Sequence, residues 1–306
     1  IKINDKGKVN ADFSMIKESM HLDNLEVLLP LQDMLKMGAV ENKMVDVRDS
    51  EFKLNGKVYI ESQKLDPAIN FSVGPAVGFN FNDVVGTTSV AGEFKNNQLV
   101  IEVKNKVLGG DADVKVSGKL DPNMKNFKVQ DLGPINVALN VAGIEFSEKM
   151  IKENIYGKNA GQAPKESTDS TGVANSTKTP PRVIPTFESP VVNMNMNLKK
   201  IKIGNEDFNA KGAFKISSNR FETESLDFSF AEGSGKIKHL STFAKAGIKT
   251  TLDFGLKNLN INGMRPFLPN GFSKISGRAN GSVVGEVNMT PTNMLYSFNV
   301  KADAYK

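Results

Sequence analysis

Through much of the chain apolar and polar residues trade places one by one. Leu99-Val100-Ile101-Glu102-Val103 and Ala112-Asp113-Val114-Lys115-Val116-Ser117-Gly118 set apolar side chains at alternate positions. A period of two is the rhythm of a strand with one face toward an apolar environment and the other toward water. It recurs in Phe52-Lys53-Leu54, Val58-Tyr59-Ile60, Ile69-Asn70-Phe71-Ser72-Val73 and Phe79-Asn80-Phe81. In the second half, Val192-Asn193-Met194-Asn195-Met196-Asn197-Leu198 alternates with asparagine, and Phe208, Ala210, Gly212, Phe214 and Ile216 form a further row. Turns are predicted at Asn96-Asn97, Gly109-Gly110, Leu120-Asp121-Pro122-Asn123, Ser217-Ser218-Asn219 and Glu232-Gly233, whose residues accept positive φ or tight bends. Helical spacing is scarce. Phe13 to Met20, Pro30 to Met37, Ser147 to Asn154 and Gly263 to Leu268 read as short helices, either lids or loop turns that close a core.

The strand pattern occurs twice. Gly92-Glu93-Phe94-Lys95, Leu99, Gly109-Gly110 and Val114 are followed later by Gly212-Ala213-Phe214-Lys215, Phe221, Gly233 and Ile237. Val137, Leu139, Val141, Ile144 and Phe146 then recur as Leu252, Phe254, Leu256, Leu259 and Ile261 at one constant offset. Self-similarity of this kind predicts stacked units in which each buries its apolar side against the next, so function belongs to an extended surface more than to one pocket. The expected organisation is a first β-repeat segment over 1–156, a Ser/Thr/Pro-rich segment over 157–190, and a second β-repeat segment over 191–306, continuous with the first. The middle segment holds almost nothing apolar and cannot order itself by burial, which suits either an interdomain linker or an insertion in one sheet.

Composition narrows the chemistry. The 306 residues include no Cys, which removes disulfides, thiol catalysis and Cys-ligated metal. A net charge of +5 comes from lysines alternating with apolar residues and interleaved with Asp and Glu, a solvated face without the dense basic and aromatic cluster of a nucleic-acid surface. Only His21 and His239 are present, neither in a metal or general-base pattern. Gly233-Ser234-Gly235-Lys236 lacks the first glycine of a phosphate loop, since Phe230 stands there. Asp111 and Asp113 beside Gly109-Gly110 would point outward from a strand, and Gly277, Gly281 and Gly285 fall in an alternating run that reads as a twisted strand. No acid and base pair, nucleophile elbow or zinc helix appears, so no enzyme, catalytic residue, metal or cofactor is expected.

Apolar volume rises above background: 19 Phe and 12 Met stand against 4 Tyr and no Trp. Phe and Met on the inward phase suit first an ordinary sandwich core, and also a trough for flexible alkyl chains, because neither needs a polar partner when buried. The candidate acyl-facing residues are Phe79, Phe81, Leu99, Ile101, Val103, Val114, Val116, Val137, Leu139, Met194, Met196, Phe214, Phe221, Phe228, Phe230, Ile237, Leu252, Phe254 and Leu256. The expected fold is mostly β, a long twisted antiparallel sheet of repeated strands forming an elongated groove or open sandwich with a few short helices.

The run Gly92-x-Phe94 through Leu99-x-Ile101-x-Val103, the pause at Val107-Leu108-Gly109-Gly110, and Ala112-x-Val114-x-Val116-x-Gly118-x-Leu120-Asp121-Pro122 resemble the repeat of the AsmA family. Leu252-x-Phe254-x-Leu256-x-x-Leu259-x-Ile261 through Met264-Arg265-Pro266-Phe267-Leu268, then Ile275-Ser276-Gly277, is similar to that family's strand, short helix and strand. The second copy departs by offering Glu232-Gly233 for the double glycine. The resemblance implies a Gram-negative periplasmic protein, tied to the inner membrane by an N-terminal helix, with an apolar β-groove. The function implied is phospholipid transport and outer-membrane biogenesis, with phospholipid or another acyl-chain lipid, the inner membrane and envelope proteins as partners. The abrupt start at Ile1 and the alternating run Tyr296-Ser297-Phe298-Asn299-Val300 near the other end read as an excised fragment lacking such an anchor or further repeats. A structural or adhesive β-sandwich that binds a protein or glycan is the competing expectation.

Overall fold

The computed structural model describes residues 2–3, 7–33, 45–46, 50–81, 84–122, 133–147, 149–151, 184, 186–267 and 276–305. Among them eighteen strands belong to one sheet, long, open and mixed. The chain divides into two compact units, Ile1–Ile144 with Glu188–Lys200 and Lys211–Ser218, and Glu145–Phe187 with Ile201–Ala210 and Asn219–Lys306.

The first unit is a meander. β2 (Gly7–Ile16), β3 (Ser19–Pro30), β5 (Glu51–Glu61), β6 (Lys64–Phe81), β7 (Val84–Lys95), β8 (Gln98–Val107), β9 (Gly110–Lys119) and β10 (Ile135–Ala142) pair antiparallel in that order. Two-residue strands finish the pattern: β1 (Lys2–Ile3) lies on β2, and β4 (Val45–Asp46) on the far end of β6. The second unit repeats the scheme with β14 (Arg220–Phe230), β15 (Gly233–Ala244), β16 (Gly247–Asn260), β17 (Arg278–Met289) and β18 (Met294–Tyr305). Between them in sequence come β11 (Glu145–Phe146), β12 (Val192–Ile203) and β13 (Glu206–Ser217).

One pairing departs from the antiparallel expectation. β10 and β12 run parallel, from Ile135 opposite Val192 to Ala142 opposite Lys199, and β11 continues beside Lys202 and Ile203. Parallel neighbours cannot be joined by a hairpin, so the chain must return along the whole strand length before pairing. The connection between them is the polar stretch over 147–191, of which 148, 152–183 and 185, and so most of the expected linker or insertion over 157–190, lie outside the described residues. Its last described residues are placed by contacts: Phe187 meets Phe243 edge-on at 5.5 Å, and its N–H donates to Asn219 Oδ1 at 2.7 Å.

Turn geometry explains where the repeat drifts. Both central residues have positive φ in Asn96-Asn97 (51° and 59°), Leu108-Gly109 (49° and 80°) and Ala231-Glu232 (48° and 60°), the twist-matched form of a two-residue hairpin. The last two turns sit one residue earlier than the glycines suggested. Gly110 and Gly233 are instead the first strand residues, and each abuts the backbone of a kinked neighbour, at Ala142–Ile144 and at Lys257–Leu259. A Cβ at Gly109 would meet nothing, so Glu232 can replace that glycine in the second copy while Gly233 cannot change. Phe13 to Met20, read as a short helix, is the β2–β3 hairpin, where the alternation of Phe13 and Met15 outweighs helical spacing. Of the candidate Gly263 to Leu268, residues 263–267 fall in a 3-10 turn, Ile261–Phe267, and Leu268 lies outside the described residues. Helical residues described from the other two candidates are 31–33 and 149–151.

Burial is sparse. Among the described residues only Val77, Phe94, Ile144, Ile201, Ala210, Phe230, Ala231 and Leu259 are buried apolar side chains, and none of the large ones is completely enclosed. The one compact cluster joins Phe230, Ala231 and Leu259, flanked by Ile203, Phe208, Leu256, Met264 and Phe267 from β12, β13, β16 and the 3-10 turn.

Candidate functional site

Register aligns the alternating residues into rows that cross the strands. In the first unit Val27, Leu54, Phe71, Gly92, Ile101, Val116, Val137 and Met194 stand successively opposite one another from β3 to β12. A parallel row holds Leu29, Phe52, Val73, Val90, Val103, Val114, Leu139 and Met196, and Ile69, Phe94 and Leu99 form a third. In the second unit the rows are Leu226–Ile237–Phe254–Val283–Val300 and Phe228–Gly235–Leu256–Gly281–Ala302. Each unit thus presents a strip one side chain deep. A sheet needs a second layer to bury such a strip, and most of these side chains are only half-buried.

Glycines in the rows are covered by rings. Phe71 lies over Gly92, Phe228 over Gly235 and Phe298 over Gly285, each from the directly opposed position, and a Cβ on any of these glycines would enter the ring. The rings spread flat along the sheet. Phe228 stacks near-parallel on Phe254 with centroids 6.3 Å apart, and Phe208 contacts both Phe228 and Phe230.

Most of the candidate acyl-facing residues fall on this face. Leu99, Ile101, Val103, Val114, Val116, Val137, Leu139, Met194 and Met196 share the first unit's rows, and Phe221, Phe228, Ile237, Leu252, Phe254 and Leu256 share the second's. Phe230 instead belongs to the buried cluster, so it is core. Phe214 is half-buried on β13. Phe79 and Phe81 lie opposite Gly86 and Val84 by backbone register, with side chains outside the described residues. Pattern reading missed a polar island on the apolar side of the second unit. There Thr223, His239, Ser241 and Thr250 stand in the rows, and Ser241 Oγ lies 2.9 Å from His239 Nε2 and 2.8 Å from Thr250 Oγ1. The signal was hidden because the hydroxyl residues sit among other small polar ones, as Thr250 does beside Thr251.

The opposite face is polar. Glu102 accepts from Lys115 directly across the β8–β9 pair at 2.7 Å, Asp111 and Asp113 face Lys106 and Lys104, and the Lys236 ammonium lies 3.8 Å from Asp227. Across the parallel β10–β12 pair, Asn193 and Asn197 donate to Asn136 and Asn140 at 3.2 and 3.4 Å, which gives the asparagine alternation a structural role. The Lys115 hydrogen bond and charge hold the Glu102 carboxyl below its usual range, and Lys8 does the same for Glu26. Glu286 is lowered first by a hydrogen bond from Asn288 and then by Lys249. The second unit carries a groove of ≈ 1100 Å³ with a mixed lining, polar from Glu222, Lys238, Asp253 and Glu286 and apolar from Leu240, Leu252, Val284, Phe298 and Val300.

Among the described residues no group of three or more His, Asp or Glu side chains is arranged to hold a metal ion. No helix among them is long and apolar enough to cross a membrane. No protein-family model matches the chain, and searches of curated proteins and of solved structures likewise returned no match.

Proposed function

We propose that the chain handles lipid, with acyl chains lying along the half-exposed apolar rows of its sheet. The observation that carries this reading is the continuity of the rows, which present apolar side chains from strand to strand with few of them buried. Phe, Met, Val and Leu offer no hydrogen bonds, so the face accepts methylene chains without selecting a headgroup. At ~0.8 kcal/mol per fully buried methylene, a roughly sixteen-carbon chain covered on one side gains ~6 kcal/mol, and a two-chain lipid about twice that. Subtracting an association cost of at least ~4 kcal/mol leaves affinity of about micromolar for a two-chain lipid. Binding of that strength suits transfer, because the ligand leaves readily. In keeping with the resemblance to the AsmA repeat, the proposed setting is the periplasm, with attachment to the inner membrane and a contribution to phospholipid transport and outer-membrane biogenesis.

The test is native mass spectrometry of the purified protein together with titration of a fluorescent long-chain fatty acid. Co-purified phospholipid and saturable uptake are expected; a lipid-free protein that takes up none of the probe refutes the proposal. The charged residues Glu222, Lys238, Asp253 and Glu286 in the mixed lining of the second unit's groove favour the alternative of a module that binds a protein or glycan. Under that alternative, exchanging Asp253 and Glu286 for Lys abolishes partner binding and leaves fatty-acid uptake at its starting level.

A further inference from the structure

The polar island of the second unit is not something a sheet of this kind needs. In the first unit the two long rows, through Val27 and through Leu29, carry no polar side chain from β3 to β12. In the second unit two adjacent rows are interrupted, one by Thr223 and His239 and the next by Ser241 and Thr250. The rows on either side stay apolar, Leu226–Ile237–Phe254–Val283 and Phe243–Ile248–Met289. His239, Ser241 and Thr250 lie on β15 and β16, each of which is paired along both of its edges. The island therefore sits inside the sheet, on its apolar face.

Its hydrogen bonds do not balance internally. Ser241, 7% exposed, is the middle of the network, with His239 Nε2 at 2.9 Å and Thr250 Oγ1 at 2.8 Å. A neutral imidazole and two hydroxyls bring three donors, and the two bonds use two of them. Whichever way the protons run, one donor is left over. Thr223, opposite His239, adds a hydroxyl with no partner among the described residues. No enclosed side-chain N or O among those residues lacks a partner, so the spare donors reach the open side of the sheet. The Phe221 ring, 5.5 Å from the imidazole, walls one flank. No Lys, Arg, Asp or Glu stands in these rows from β14 to β17, so a phosphate or carboxylate would lie there without a counter-charge. A neutral carbonyl fits. We propose that the island takes the acyl ester carbonyl of a glycerolipid, with the acyl chain on the Leu226–Ile237–Phe254–Val283 row about 7 Å away. This deepens the lipid reading and rests on it: the face reads the linkage and leaves the headgroup unselected. An ether lipid dehydrates the same donors without offering a carbonyl, at a cost of about tenfold in affinity.

Only two histidines are present, His239 in the island and His21 on β3, so the histidine ring nitrogens in an NMR titration report the site with an internal control. The probes are a short-chain diester phosphatidylcholine and its diether analogue with the same chains. The diester is expected to move the His239 signals, leave those of His21 in place, and bind about tenfold more tightly than the diether. Combining Thr223→Val, Ser241→Ala and Thr250→Val removes the hydroxyls and keeps His239 as reporter, and is expected to cut that ratio to about threefold or less. Equal affinity for the two lipids in the unaltered chain overturns the inference and leaves the lipid reading standing, as does a shift confined to His21. A preference that survives loss of the three hydroxyls also overturns it. If neither lipid binds, the lipid reading fails and this inference with it. Should the triple variant fail to fold, the comparison of the two lipids on the unaltered chain decides.

Discussion

Replacing Phe254 by Asp separates an open apolar face from a closed core. Phe254 stands mid-row between Ile237 and Val283 and stacks on Phe228 at 6.3 Å with the rings 14° from parallel. Loss of the stacked pair costs ~0.5–1.5 kcal/mol, and loss of a half-covered ring about 1–1.5 kcal/mol more, half of the full burial value. Phe254→Ala is therefore expected to destabilise by ~2–3 kcal/mol. On a water-accessible face the Asp carboxylate stays hydrated, so Phe254→Asp costs little beyond Phe254→Ala. In a closed core the same carboxylate would lose hydration and stand unpaired, adding at least ~3–5 kcal/mol and exhausting the stability of an ordinary domain. The chain has no Trp, so urea unfolding is followed by far-ultraviolet dichroism, with a fluorescent fatty acid as the binding probe. The expected result is a folded Phe254→Asp protein, close in midpoint to Phe254→Ala, with fatty-acid uptake reduced about tenfold. If Phe254→Asp unfolds while Phe254→Ala does not, the face is a core and the lipid reading fails.

Three further outcomes follow from the geometry. Gly92→Val is expected to destabilise by ~1–2 kcal/mol, because eviction of the Phe71 ring outweighs the ~0.5–1 kcal/mol a strand gains on losing glycine. In a Phe71→Ala background the same change becomes neutral or stabilising in urea melts, and a penalty that persists there would show that the ring is not the cause. Glu26, Glu102 and Glu286 have folded values lowered from 4.5, so the stability they add is present above pH 4.5 and is lost as pH falls below it through the depressed values. Urea midpoints measured down the acid limb should drop less steeply in Lys115→Gln, where Glu102 loses its main partner, and less steeply in high salt. The return over 147–191 must span about twelve strand residues, roughly 40 Å, which about a dozen extended residues can cover. Removing 160–178 is thus expected to keep the fold and to raise stability by ~0.5 kcal/mol through the shorter loop, and loss of the cooperative melt would contradict this account.

Strand identity was legible wherever one side chain in two is apolar, as from Leu99 to Gly118, because the period of a half-buried strand is written directly in the residues. The repeat was legible for the same reason. Two kinds of information were not. Pairing direction depends on what lies across the sheet, and nothing within Val192–Leu198 says that its asparagines will stand beside Asn136 and Asn140 and not be read in the antiparallel sense. The glycine pair at 109–110 concealed two distinct roles, a turn residue and a contact with the next strand's backbone, which only the substitution at Glu232 and the geometry together resolve. For the candidate face, alternation identified the side chains but could not report whether a second layer covers them. It also merged Phe230, buried under Phe267 and Phe208, with Phe228 in the rows.

The parallel β10–β12 pairing bears on how the sheet assembles. Among the described residues every other pairing of long strands with a known register joins neighbours or near-neighbours in sequence, so hairpins form first and each new strand adds to an edge already in place, at small cost in loop closure. β12 can dock only after a 45-residue loop has closed, and in the correct register, since a slip of one residue would turn its methionines to the polar side. That closure is the expected rate-limiting step in folding. Until it occurs, β10 is itself an unpaired edge, with Val137, Leu139 and Val141 uncovered beside it. The interval in which the growing chain is most open to intermolecular pairing is therefore set by the length of its most polar segment.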